Sequence, residues 1–136
     1  MKIGINVSFL RKNATGIGQY TRYLTEALLA LPMASKHQFV LYAEAQEGLE
    51  LIRDRANVEK KVLKTPLYQR DDLIRKATWE KLVLPHEVKK DQIEIFFSPY
   101  NSASIFPLIR HVMTLHDVIW KVFEKEYVNN FRKRLY

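Results

Sequence analysis

Apolar and polar residues alternate over positions 2–9, with Ile3, Ile5 and Val7 set against Gly4, Asn6 and Ser8. A period of two predicts a strand. The small residues opposite the aliphatic ones suit a strand packed closely on both faces. The period then changes. Ile17, Tyr20, Leu24, Ala27, Leu28 and Leu31 recur at helical spacing, while Gln19, Arg22 and Glu26 lie off that stripe. Thr15 is placed to cap this helix and Pro32 to stop it, which predicts a helix over 17–31. Positions 38–43 read as a second strand, 47–55 as a short helix and 58–63 as a third strand. Asp71 or Asp72 can cap a helix that carries Leu73, Ile74, Ala77 and Leu82. Pro85 disfavours helix at Leu84 and predicts a break or kink there. The apolar run 93–97 has the look of a buried parallel strand, and 111–115 is a further strand. Asn129 or Asn130 can cap a helix beginning near Phe131.

Strands that alternate with helices predict an α/β fold: Rossmann-like and doubly wound, with a mostly parallel sheet and helices on both faces. The 136 residues form one such domain, long enough to bury a core. The closing run Phe131-Arg132-Lys133-Arg134-Leu135-Tyr136 reads as an element cut short, so the chain is expected to be a fragment of something longer. A composition that is 47% hydrophobic and 27% charged excludes a disordered chain. The absence of cysteine excludes disulfides and thiolate metal sites. No apolar run approaches the ~20 residues of a membrane-spanning helix. Met1-Lys2 leads straight into a strand without a signal-peptide pattern, which makes the cytoplasm the expected location.

The net charge of +7 can draw the chain to phosphorylated ligands or an anionic membrane surface, or can simply keep it soluble. Its basic residues are scattered and do not interleave with aromatics, so no nucleic-acid partner is expected.

Three segments carry candidate chemistry. The first is Thr15-Gly16-Ile17-Gly18-Gln19-Tyr20-Thr21, between a strand and a helix. Glycines there allow backbone N–H groups to approach a ligand, and the helix start favours an anion. The same residues also fit a capped helix start with turn glycines and no ligand. No Gly-Lys-Ser/Thr follows, so this is not a nucleotide-triphosphate loop. As a dinucleotide fingerprint it has Thr21 in place of the third glycine and starts well past the strand end, although Glu44 could stand in for the ribose-binding acid. A nicotinamide or flavin oxidoreductase domain therefore stays a third reading.

The second segment is His116-Asp117, which follows a strand and should emerge at the carboxyl edge of the sheet. His116 can donate to a hydroxyl or phosphate or act in acid–base chemistry, and Asp117 can orient the loop. Two polar residues starting a loop would look the same. The third is Ser98-Pro99-Tyr100-Asn101-Ser102, also after a strand. Its hydroxyls, amide and ring suit a polyhydroxy ligand such as a sugar, or an ordinary proline turn. Neither a serine triad nor metal-ligand spacing of histidines is present.

Several of these segments, taken in order, are similar to a known family. Lys2-Ile3-Gly4-Ile5 through Ser8-Phe9-Leu10, the glycine loop, Trp79-Glu80 with Leu84-Pro85, Phe97-Ser98-Pro99-Tyr100-Asn101 and Thr114-Leu115-His116-Asp117 resemble the N-terminal domain of family 4 glycosyltransferases, which have the two-domain GT-B fold. The resemblance implies retaining transfer of a sugar from a nucleotide-sugar donor to a glycan or lipid-linked acceptor, in the cytoplasm or peripherally at the membrane's inner face. It implies neither metal nor other cofactor. It places Gly16 and Gly18 near the donor diphosphate, Ile17 and Tyr20 among the donor- and acceptor-binding residues, and His116 at the donor sugar as the catalytic residue. Ser98, Tyr100, Asn101 and Asp117 join the donor- and acceptor-binding set. The pattern departs from the family at Asn6, where Asp is frequent, at Gln19, where Arg is frequent, and over 118–126, where a proline is often found. The family's nucleotide-binding C-terminal domain is not in this chain, so the resemblance implies that the chain alone does not turn over. The alternative is a stand-alone ligand-binding or protein-interaction module of Rossmann-like fold.

Overall fold

The computed structural model describes residues 1–65, 72–102, 104 and 109–117. Their strands are β1 (Lys2–Asn6), β2 (Gln38–Ala43), β3 (Val58–Val62), β4 (Ile95–Ser98) and β5 (Arg110–Met113), and their α-helices are α1 (Gly16–Ala30), α2 (Asp72–Thr78) and α3 (Leu84–Lys90). The strands form one all-parallel sheet in the order β3-β2-β1-β4-β5. The chain steps outward from β1 to β3, returns to the other side of β1 as β4, and continues outward to β5. The reversal puts a crevice between the carboxyl ends of β1 and β4, where open parallel sheets take their ligands. The architecture is α/β and Rossmann-like, as the alternation of patterns predicts.

Two apolar clusters sandwich the sheet. On one face Ile5, Phe39 and Leu41 pack with Leu29 of α1, and on the other Val40, Tyr42 and Phe96 pack with Trp79, Leu84 and Val88. Gly4 lies on the second face for a steric reason. A Cβ there would sit 2.8 Å from the Phe96 ring and 3.1 Å from the Tyr42 ring. The small residues of β1 thus make room for two aromatic side chains from its neighbours.

The elements differ from the sequence expectations in four instructive places. β1 stops at Asn6 rather than reaching Phe9, because the Asn6 Oδ1 captures the Ser8 N–H at 3.2 Å and turns the chain into a 3-10 turn, Ser8–Lys12. The helix expected over 47–55 is only a 3-10 turn, Leu49–Leu51, entered through Gly48 at φ 89°. Pro85 does not break its helix. A π-turn, Trp79–Val83, joins α2 to α3, and the Leu84 N–H reaches the Trp79 carbonyl five residues back. The wider turn accommodates a ring that would crowd an α-helical carbonyl. Asp71, Asn129, Asn130 and Phe131, and the capping and helix expected of them, lie outside the described residues.

The fourth difference is the face that α1 buries. The interior side chains are Thr21, Thr25 and Leu29 together with Gly18, not the aliphatic stripe. Small residues let the helix start close against the 3-10 turn after β1. Leu24, Leu28 and Leu31 instead line an apolar groove of about 380 Å³ beside Ile3, Ile5, Phe97 and Val112.

The two loop glycines should separate cleanly on substitution. A Cβ on Gly18 would fall 2.2 Å from the Lys12 carbonyl oxygen, whereas one on Gly16 meets nothing within 4 Å. In urea denaturation Gly18→Ala should cost about 1–3 kcal/mol. Gly16→Ala should be neutral or stabilising by up to about 1 kcal/mol, through lost unfolded-state entropy.

Candidate functional site

The carboxyl edge gathers the three segments singled out by sequence. Thr15 caps α1, its Oγ1 accepting from the Gly18 N–H at 3.1 Å and donating to the Lys12 carbonyl at 2.8 Å. Gly16 is exposed at the first helical position, Ile17 is half-buried and Gly18 is buried against the preceding turn. One turn on, the Tyr20 hydroxyl lies 3.3 Å from Thr114 Oγ1 and its ring meets the His116 ring edge-on at 4.8 Å between centroids. His116 Nε2 is 2.8 Å from the Pro99 carbonyl. A carbonyl can only accept, so Nε2 carries the proton. Nδ1 is then the remaining polar atom of the imidazole, able to accept from a hydroxyl when neutral and to donate when charged. Gly16, Tyr20, Asn101, His116 and Asp117 are exposed along this edge.

Two residues expected at the ligand surface sit inside instead. Ser98 is buried in β4, its Oγ 3.1 Å from His111 Nε2 on the neighbouring strand. Tyr100 is 1% exposed. Its hydroxyl accepts from Asn6 Nδ2 at 2.6 Å, donates to Glu80 Oε1 at 2.8 Å and lies 2.8 Å from Ser8 Oγ. A phenol has one proton, committed to Glu80, so the Ser8 hydroxyl donates. The ring of Tyr100 packs edge-on against Phe9 rather than offering a face to a sugar. Its position after a strand is visible in sequence, but its inward direction depends on Glu80, which arrives from the π-turn on a different element.

The same arrangement explains Asn6. An aspartate there could not donate to Tyr100, and its charge would join that of Glu80, itself 2% exposed. Glu44, the candidate ribose-binding acid, is also 2% exposed and is held through Oε2 by Arg11 Nε and Arg75 Nη2, each at 3.3 Å. Such a carboxylate is not open to a ribose, which counts against the dinucleotide reading.

A cationic group stands beside this interior network. Lys76 Nζ is 3.9 Å from Glu80 Oε1 and lies over the Phe9 and Tyr100 rings, 4.6 Å and 4.9 Å from their centroids. Burial pushes its ammonium below the usual lysine range. Lys12 and Arg11 push the same way, against Glu80 and Glu44. The sequence signal for this pair is the i, i+4 spacing of Lys76 and Glu80, which alone reads as a surface helix pair. Among the described residues no group of three or more His, Asp or Glu is placed to hold a metal ion.

No family model, curated protein or solved structure matches this chain.

The Tyr100 network has a measurable signature. Burial first, and then the Glu80 charge, push the Tyr100 hydroxyl well above its ordinary 10.0, with the Ser8 and Asn6 hydrogen bonds partly opposing. Above that ordinary value the unfolded chain releases the proton and the folded chain keeps it, so stability falls as pH rises through the unfolded tyrosine range. Tyr100→Phe should lower stability at pH 7 by about 1–3 kcal/mol, because it removes an enclosed hydrogen bond to the Glu80 carboxylate and the acceptor of Asn6. It should also make the alkaline fall in Tm shallower than in the unsubstituted chain.

Proposed function

We propose that the chain is the acceptor-side, N-terminal half of a retaining glycosyltransferase of GT-B type, with a doubly wound sheet. On this reading it moves a sugar from a nucleotide-sugar donor to a glycan or lipid-linked acceptor. The observation that carries the reading is the meeting of three chain segments at one point of the sheet's carboxyl edge. The capped start of α1 contributes Tyr20, the loop after β4 contributes the Pro99 carbonyl, and the loop after β5 contributes Thr114 and His116.

Each part has a role in that chemistry. The open backbone at Gly16 gives a diphosphate room to approach the first turn of a helix, whose free N–H groups favour an anion. The Pro99 carbonyl and the Tyr20 ring fix the His116 imidazole, so that Nδ1 can bind a sugar hydroxyl in a defined orientation. Asn101 and Asp117 add exposed polar groups along the same edge. Sugar transfer through an oxocarbenium-like state needs orientation and charge stabilisation more than a strong protein nucleophile. Met113 and Leu115, 49% and 53% exposed at the end of β5, supply apolar surface that suits a facing second domain. No described helix is long and apolar enough to cross a membrane, so a lipid-linked acceptor would be met at the membrane surface.

One observation favours the alternative of an interaction module. The groove between α1 and β5 presents Leu24, Leu28, Leu31 and Val112 away from the polar edge. An interaction module would use the groove and have no need of His116.

Turnover separates the two. A polypeptide carrying this domain with a nucleotide-sugar-binding second half should release nucleoside diphosphate in the presence of acceptor, and the present chain alone should not. His116→Ala in that polypeptide should lower kcat about 100-fold or more, the usual scale for losing a positioned acid–base group. An unchanged rate, or no use of any nucleotide-sugar, would refute the assignment.

A further inference from the structure

Two aromatic rings stand in water, and both are on α1. Tyr20 is 37% and Tyr23 63% exposed, whereas every other described phenylalanine, tyrosine and tryptophan is buried or half-buried. One exposed tyrosine by itself would need no explanation, since folded surfaces carry much apolar area. These two are neighbours on one helix surface, three residues and about 4.5 Å apart along its axis. Tyr20 is also the residue whose ring meets His116. The aromatic pair is therefore continuous with the candidate site and leads outward from it along α1.

Tyr23 is backed without being covered. The Arg22 guanidinium stands over its ring, 5.4 Å from the centroid, an arrangement that restrains the ring through the attraction of a cation for its face. By helical spacing Arg22 and Tyr20 flank Tyr23 on opposite sides. The polar atoms here are uncommitted. The hydroxyls of the buried tyrosines are spent inside the fold, Tyr42 donating to Asp91 and Tyr100 to Glu80. Among the described residues the Tyr23 hydroxyl has no hydrogen-bond partner, and the Arg22 guanidinium has none besides that ring. An open aromatic face thus stands beside free hydroxyl and guanidinium donors.

We propose that Tyr23, backed by Arg22, is a platform for a sugar unit of the acceptor, one unit removed from the sugar that receives the transfer at His116. The inference rests on the glycosyltransferase reading for the word acceptor, but the sugar platform itself does not. A sugar ring has an apolar C–H face and a rim of hydroxyls. The exposed phenol ring takes the face, and the donors beside it take the rim. A second sugar held one turn along the helix fixes the direction of the chain whose end lies at His116. The acceptor class is accordingly a chain of two or more sugars, leaving the site over the outer surface of α1 rather than through the apolar groove.

The probe is a panel of neutral and acidic mono-, di- and tetrasaccharides, presented on an array to the 136-residue chain. At least one di- or tetrasaccharide should be retained more strongly than its monosaccharide. Tyr23→Ala should weaken that retention about three- to tenfold, while Tyr23→Phe, which keeps the ring, should stay within about twofold. Arg22→Gln should give part of the loss. Tyr23 is a surface residue, so its variants should keep the Tm of the unsubstituted chain. No oligosaccharide retained, equal retention by Tyr23→Ala, or a loss in Tyr23→Phe as large as in Tyr23→Ala overturns the platform. In a polypeptide that also carries the nucleotide-sugar-binding half, Tyr23→Ala should raise KM for the sugar acceptor without lowering kcat. Sugar binding through Tyr23 in a protein that never uses a nucleotide-sugar would refute only the glycosyltransferase reading. Turnover whose acceptor KM ignores Tyr23→Ala would refute only the platform.

Discussion

The hydroxyl of Tyr100 is the atom on which the functional edge depends. It joins the end of β1 through Asn6, the following turn through Ser8, and the π-turn through Glu80, all from the loop after β4. These groups are withdrawn from water, where an unmade hydrogen bond is expensive and a complete network is rigid. One phenol therefore sets the relative positions of three chain segments far apart in sequence. Donor and acceptor roles close without remainder only if residue 6 can donate, residue 80 can accept and residue 8 is a hydroxyl.

The features around that atom follow from it. The π-turn before Pro85 accommodates the proline ring and carries Trp79 and Glu80, both enclosed in the fold, with Trp79 donating to the Leu63 carbonyl at 2.8 Å. The 3-10 turn begun by Asn6 brings Phe9 against the Tyr100 ring and ends where Gly18 of α1 must pass. Gly18 is thus a packing glycine, while Gly16 is the open one. Along the polar edge Tyr20 meets His116, while Lys76 lies over the Phe9 and Tyr100 rings.

Much of this was legible in the chain. Alternating patterns give the five strands and their α/β class, and Thr15 and Pro32 mark the ends of α1 because capping and stopping are local events. The three segments at the carboxyl edge are legible because each follows a strand. What sequence could not supply is direction. Ser98 ends β4 and Tyr100 lies in the loop after it, yet both point inward because His111 and Glu80, on other elements, receive them. The apolar stripe of α1 is equally misleading. Close approach selects Gly18, Thr21 and Thr25 for the interior, and no periodicity rule ranks small residues above leucines.

These features support a cleft in which backbone openness and one fixed imidazole stand at the switch point of a parallel sheet. The most direct test is a crystal structure of the protein with a nucleotide-hexose and an acceptor bound. The account predicts ligand atoms in contact with Gly16, Asn101 and His116 and none in the apolar groove between α1 and β5. Ligand seated in that groove, or at the amino end of the strands, would contradict it.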